Sequence, residues 1–251
     1  MLKQFLAGAI VTGALTSTGF LQAAPAEAFS LSISPQYGST ENTGSAASLG
    51  FNFSQVGANV LLDLTVSNTT NGTQGLGATQ STLVGVAFDL LSGVSVSSYN
   101  ANGSGFTKLW SDSTATLNPA NLFGTFDVGI SPPRNSFAGG NPQQGLTAGN
   151  STSVSFLLSG NSLNASNLGS AFLAGFQDGS LRAAGRFQQV NAGGGSDKVR
   201  AGVPTPPKPE QPPETPNPEK VPEPSAISAL VLAGLVILKG RKRQNSVPSS
   251  L

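Results

Sequence analysis

Cysteine and histidine are both absent from the 251-residue chain. Without cysteine there is no disulfide, no thiolate metal site and no thiol nucleophile. Without histidine, the commonest general base and metal ligand at neutral pH is gone as well. Charge is scarce: twelve acidic and thirteen basic residues make up 10% of the chain and leave a formal net charge of +1. That excludes the strongly basic field of a dedicated nucleic-acid binder. Apart from fourteen phenylalanines, the aromatics are one tryptophan and two tyrosines. Glycine, by contrast, is plentiful, with 31 residues or about 12% of the chain against an average near 7%, which favours turns and strands over long helices. The length suits one all-β domain with appendages, and no repeat of a period typical of solenoids is visible.

Both ends carry signals of their own. Lys3, an apolar stretch from Phe5 to Leu15 and a small-x-small site at Ala26, Glu27 and Ala28 have the layout of a secretory signal peptide cut after Ala28. Thr12, Gly13, Thr16, Ser17 and Thr18 interrupt the run, which argues against an anchor helix at this end. Residues 204–224, PTPPKPEQPPETPNPEKVPEP, hold ten of the seventeen prolines and no aromatic residue. Such a segment buries too little apolar surface to fold and favours extended polyproline II, reaching roughly 65 Å at about 3.1 Å per residue.

An apolar run then follows from Ala226 to Leu238, broken only by Ser228, and after it come Lys239, Arg241, Lys242 and Arg243. As a helix, its thirteen residues would span only about 20 Å of a hydrocarbon core roughly 30 Å thick. Bilayer thinning, Ser225 and a snorkelling Lys239 narrow that deficit. The basic cluster is expected to stay in the cytoplasm, leaving everything before it outside, which is the orientation a signal peptide also imposes.

The order Val221-Pro222-Glu223-Pro224-Ser225, short apolar helix, basic cluster resembles the PEP-CTERM sorting signal of exported bacterial proteins. The resemblance implies that Pro222, Glu223 and Pro224 form the motif read by an exosortase, a membrane-embedded enzyme that removes the tail and passes the protein to the envelope or matrix. It covers about the last thirty residues and concerns sorting alone. Gln244–Leu251, beyond the basic cluster, depart from the commonest form. The expected organisation is a signal peptide over 1–28, a folded domain over 29–203, a Pro-rich disordered linker over 204–221, the sorting signal over 222–243 and a cytoplasmic tail over 244–251.

Six basic and seven acidic residues fall in the body, residues 29–203. Period-two alternation marks Val60, Leu62, Leu64 and Val66; Val84, Val86, Phe88 and Leu90; Phe126, Val128 and Ile130; and Val154, Phe156 and Leu158. Each set predicts a strand with one apolar face. Further strands are expected over 31–34, 49–54, 94–99, 106–110 and 181–190, separated by Gly/Asn/Ser turns. Together they predict an antiparallel β-sandwich of eight or nine strands. Only Asn164–Phe176 has helical spacing, with Leu168, Phe172 and Phe176 on one face. The body also loosely resembles the cohesin-like and carbohydrate-binding β-sandwich domains of secreted bacterial surface proteins, and its ending, residues 186–198, is similar to a recurring closing segment of PEP-CTERM proteins.

The residues offer little chemistry. Of the body acids Glu41, Asp63, Asp89, Asp112, Asp127, Asp178 and Asp197, three (Asp63, Asp89 and Asp127) have the parity opposite to the apolar residues of their strands and are expected to face solvent. A carboxylate-dependent enzyme acting on polysaccharide would need two of these acids roughly 5–10 Å apart, which spacing cannot show. There is no Asp-x-Asp-x-Asp-Gly loop, so calcium would have to be held by distant acids such as Asp178 and Asp197. Asn191–Ser196 lacks the lysine and following helix of a phosphate cradle. Six Asn-x-Ser/Thr sequons, at Asn52, Asn68, Asn71, Asn102, Asn150 and Asn164, are what so much Asn, Ser and Thr produces by composition. A sugar platform would need an exposed aromatic ring, and Trp110, ahead of Tyr37 and Tyr99, is the candidate. The expectation is a non-enzymatic exported protein without cofactor or metal, structural or interacting in role. A carbohydrate-binding module for exopolysaccharide is the alternative, and a carboxylate enzyme comes third.

Overall fold

The computed structural model describes residues 28–111, 114–118, 123–139 and 142–204. They fall within Met1–Thr205, the first of two units into which the chain divides. The linker, the sorting motif, the apolar run, the basic cluster and Ala26 lie outside the described residues, as does Asp112.

The alternating segments do become strands: β1 (Ala28–Ile33), β2 (Ala47–Val56), β3 (Asn59–Asn68), β4 (Thr82–Phe88), β5 (Ser95–Asn100), β6 (Lys108–Ser111), β7 (Thr116–Asn118), β8 (Gly124–Thr125), β9 (Val128–Ser131), β10 (Leu146–Thr147), β11 (Ser151–Ser159), β12 (Ala183–Gln188) and β13 (Ser196–Gly202). All pairings are antiparallel. The chain is therefore all-β with a single α-helix among the described residues, α1 (Ala165–Asp178). β2 and β3 form a hairpin around a two-residue loop, with Gly57 at φ 60 in the first loop position, where a primed turn takes glycine.

One sheet carries eleven of these strands in the order β5-β11-β3-β2-β1-β13-β12-β4-β9-β6, with β10 added beside β4. Laid flat, β11 and β4 would stand six strand spacings apart, roughly 29 Å at about 4.8 Å per step. Yet the rings of Phe156 on β11 and Phe88 on β4 meet at 5.6 Å, and Phe88 also meets Phe51 on β2 at 5.7 Å. The sheet must therefore bend until its two halves face each other across one core. Leu31, Leu49, Leu62, Leu64, Val86 and Val154 fill that core from both sides. The bend falls at β1 and β13, where the ladder shrinks to two register pairs, Ser32 with Gly202 and Ile33 with Ala201.

Helix α1 covers part of the same core. Asn164 caps its start by accepting from the Asn167 N–H at 3.0 Å, and Gly179 ends it at φ 80, in the left-handed region. Leu168, Phe172 and Phe176 are buried on one face as their spacing predicts, with Phe172 against Phe53 and Phe176 against Phe51 and Phe29.

Three details depart from the sequence reading. Thirteen strands appear among the described residues instead of eight or nine. β4 is buried on both faces, and a register shift opposite Arg186 and Phe187 places Leu83, not Val84, in the main core. Phe126 precedes β9 and turns away from Val128 and Ile130. It joins Trp110, Phe123, Phe137, Ala87, Ala115 and Ala184 in a second, smaller cluster.

Since Phe88 alone touches aromatic rings from two other strands of the facing half, Phe88→Ala is expected to lower unfolding free energy by about 3–5 kcal/mol in urea titration. Val56→Ala, at a side chain 47% exposed, should change it by no more than about 0.5 kcal/mol. Equal effects at both positions would contradict a core shared across the bend.

Candidate functional site

Trp110 is not the exposed platform that the sequence suggested. It is 8% exposed, its indole N–H donates to Ser131 Oγ at 2.8 Å, and the Lys108 ammonium stands over its ring at 3.9 Å. The reason is register: Trp110 lies opposite Gly129 on β9, and the missing side chain there lets the ring of Phe137 settle on the sheet. Phe137 and Trp110 then pack at 6.0 Å. Tyr37 and Tyr99 are half-buried, and both spend their hydroxyls on backbone, donating to the Val203 and Phe106 carbonyls. Burial pushes the Tyr99 phenol well above its ordinary pKa, so it stays a neutral donor.

Every described aspartate is already engaged. Asp127 is exposed, as expected, and accepts from the Leu90 N–H at 2.8 Å, while half-buried Asp63 accepts from Ser155 Oγ at 2.6 Å. Asp89 corrects the solvent-facing expectation. It is 8% exposed and takes a two-pronged contact from Arg182, with Nε at 2.8 Å and Nη2 at 3.2 Å, because the strand end turns it toward the arginine preceding β12. Asp178 sits exposed at the end of α1, and hydrogen bonds from Ser180 hold its carboxyl below the usual range.

Asp197 is the exception in depth. Its carboxylate is 1% exposed and accepts from six donors: the hydroxyls of Ser39, Thr40 and Thr43 and the N–H groups of Thr40, Glu41 and Thr43, at 2.7–3.1 Å. A buried charge is tolerated when hydrogen bonds replace its water, and here the chain between β1 and β2 supplies them. The carboxylate thus serves as an internal anion that ties residues 39–43 to β13. Calcium at Asp178 and Asp197 finds no support in this geometry. The two are held in separate hydrogen-bonded settings, and no group of three or more acidic side chains is gathered among the described residues. The sequon at Asn68 is likewise internal, its side-chain amide donating to the Leu146 carbonyl at 2.9 Å.

Two features of the described residues bear on ligand binding. A cleft of about 410 Å³ runs between Val94–Val96 and Leu109–Ser111, the two ends of the sheet, and Asp127 lies at its side. The other is basic. All six lysines and arginines of the body fall between Lys108 and Arg200, in or beside the half-sheet β13-β12-β4-β9-β6. Arg134 lies in the segment after β9. Its Nη1 donates to the Gly139 carbonyl at 2.8 Å, and its guanidinium sits 5.0 Å from the Phe137 ring centroid. Desolvation, and secondly the like charge of Arg186, push its pKa down to about 10. Burial lowers Arg186 as well, and burial followed by Arg186 lowers Lys198, against the opposing pull of Asp197 and Glu41. The sequence reading missed this grouping because Lys108, Arg134, Arg186 and Lys198 are spread over ninety positions and only strand order brings them together. No protein family, no curated protein and no solved structure matches this chain.

Asp197→Ala leaves six donors, the two of Thr43 buried, without their acceptor and should cost on the order of 3 kcal/mol of unfolding free energy. Asp127→Ala, at an exposed acid, should cost well under half of that, and parity between the two in the same denaturation assay would refute the internal-anion role. Acrylamide should quench Trp110 fluorescence weakly in the native protein and strongly in urea; strong quenching in both would mean the ring is exposed.

Proposed function

We propose that this chain is an exported component of the cell envelope or extracellular matrix, structural or interacting in role and delivered by an exosortase-type sorting system. The observation that carries the proposal is the order of signals at the carboxyl end. Pro222-Glu223-Pro224, an apolar run and the cluster Lys239, Arg241, Lys242 and Arg243 stand within 22 residues, behind a Pro-rich spacer. An amino-terminal export signal cut at Ala28 gives the same topology. In this reading the membrane helix is a temporary anchor, and the folded domain is released or attached on the outside.

The domain's make-up supports that destination. It uses no cysteine, so its stability is indifferent to the change from a reducing to an oxidising compartment. Its bent sheet is best understood as an antiparallel β-sandwich whose two layers remain joined at β1 and β13. Cleavage after Ala28 would remove only the outermost pair of the β1–β2 ladder, Ala28 with Asn52, and would keep the Phe29 ring stacked on Phe51 at 4.8 Å. Loss of the segment after residue 204 would leave all thirteen strands intact.

Intact-mass measurement of the mature protein from its native host tests this directly. The expected product begins at Phe29 and lacks residues 226–251. A product that retains both the first 28 and the last 26 residues would overturn the proposal.

A further inference from the structure

Cross-strand register places Lys198 on β13 beside Arg186 on β12, Arg186 beside Gly85 on β4, and Lys108 on β6 beside Ser131 on β9. Gly85 is the gap in this row, and Arg134 fills it: a Cβ on Gly85 would lie 2.6 Å from Arg134 Nη2. Arg134 and Arg186 therefore share one spot on the outer face of the sheet, under the segment containing Ala138 and Gly139, whose carbonyls each accept one N–H from them.

Among the described residues these guanidiniums have no carboxylate partner. The ion pair among the described residues joins Arg182 to Asp89 elsewhere. Nε and Nη2 of Arg134 and Nε of Arg186 are buried without a hydrogen-bond partner, and so is Oε1 of Gln188, two residues along the same strand face as Arg186. Buried polar groups are almost always paired, and leaving four unpaired on one face of the sheet is costly. The unmet demand is specific: three donor nitrogens on two forked cations call for a planar oxyanion, and one amide oxygen calls for a hydroxyl.

We propose that Arg134, Arg186 and Gln188 form a binding site for a sugar acid, with the arginines taking the carboxylate of a uronic acid residue and Gln188 accepting from a neighbouring hydroxyl. Bare sulfate would satisfy the arginines and, having no hydroxyl, leave Gln188 unpaired. A nucleic acid is disfavoured because four cations in a nearly neutral body cannot supply the multiple phosphate contacts that its affinity needs. Lys198 and Lys108, at the flanks of the row, draw a polyanion to the face, so the natural source of the group is an acidic polysaccharide. That choice of source rests on the export reading above; the site itself does not.

Binding of the purified full-length chain to polygalacturonate is the test, with dextran as the uncharged polymer, inorganic sulfate as the bare oxyanion and Trp110 fluorescence reporting the fold. The expected result is binding to polygalacturonate but not dextran, weakened about tenfold or more by Arg186→Gln and by Gln188→Leu. Arg186→Lys should also weaken it, since it keeps the charge and loses the fork. Arg200→Gln, a neutralisation in the neighbouring row, should leave binding unchanged. Equal loss in Arg200→Gln and Arg186→Gln would show diffuse surface charge and overturn the site. So would binding of sulfate without polygalacturonate, or no change on Gln188→Leu. A positive result in a protein whose tail is never removed would sink the sorting proposal and leave this site standing.

Discussion

Everything in the domain depends on the bend between β1 and β13. A sheet of eleven strands that stayed flat would expose one apolar face from end to end, so the core exists only because the halves turn toward each other. The ladder narrows there to two register pairs, and other bonds supplement it. The chain after β1 continues along β13, with the Ser34 N–H donating to the Arg200 carbonyl and the Arg200 N–H to the Gly38 carbonyl. Asp197 then gathers the next five residues around its carboxylate. In a chain with no disulfide, a buried, fully hydrogen-bonded charge fixes the geometry of the bend, and the phenylalanine contacts between Phe51, Phe88 and Phe156 supply the burial that makes bending favourable.

This explains which parts were legible in the sequence. Strands whose inward residues are all apolar, such as β3 with Val60, Leu62, Leu64 and Val66, announce themselves by alternation, and so does the helix through Leu168, Phe172 and Phe176. β13 does not, because its inward positions are Asp197 and Val199, and a buried aspartate reads as a solvent-facing one. β4 conceals its register for the opposite reason: apolar on both faces, it gives alternation no contrast, and the bulge opposite Arg186 goes unmarked. Asp89 has the parity of an exposed residue but lies at a strand end, where parity no longer dictates direction.

The candidate site was illegible for a related reason. Trp110 attracted notice as the one tryptophan, yet its surroundings are decided by Gly129, and glycine carries no pattern that alternation can read. Gly85 acts in the same way for Arg134. In both places the absence of a side chain on the sheet admits a group from the segment after β9, so an outer face that would otherwise be wet becomes a second packed layer. Local sequence records the glycines and the arginines; only strand order shows that they are one feature.

That second layer also changes how the two half-sheets should be regarded. Residues 29–107 contain no lysine or arginine, so β1, β2, β3 and β5 present mostly hydroxyls and amides, with the carboxylate of Asp63 among them, and the basic groups all belong to the other half. A nearly neutral net charge therefore hides a polarised domain, with one face free of basic groups and one that carries all of them. Such polarity does little for folding, since exposed charges contribute little and the buried guanidinium pair opposes it. Groups that weaken the fold where they stand are accounted for most directly by what they bind, and Arg134 and Arg186 leave N–H donors unpaired that a carboxylate would satisfy.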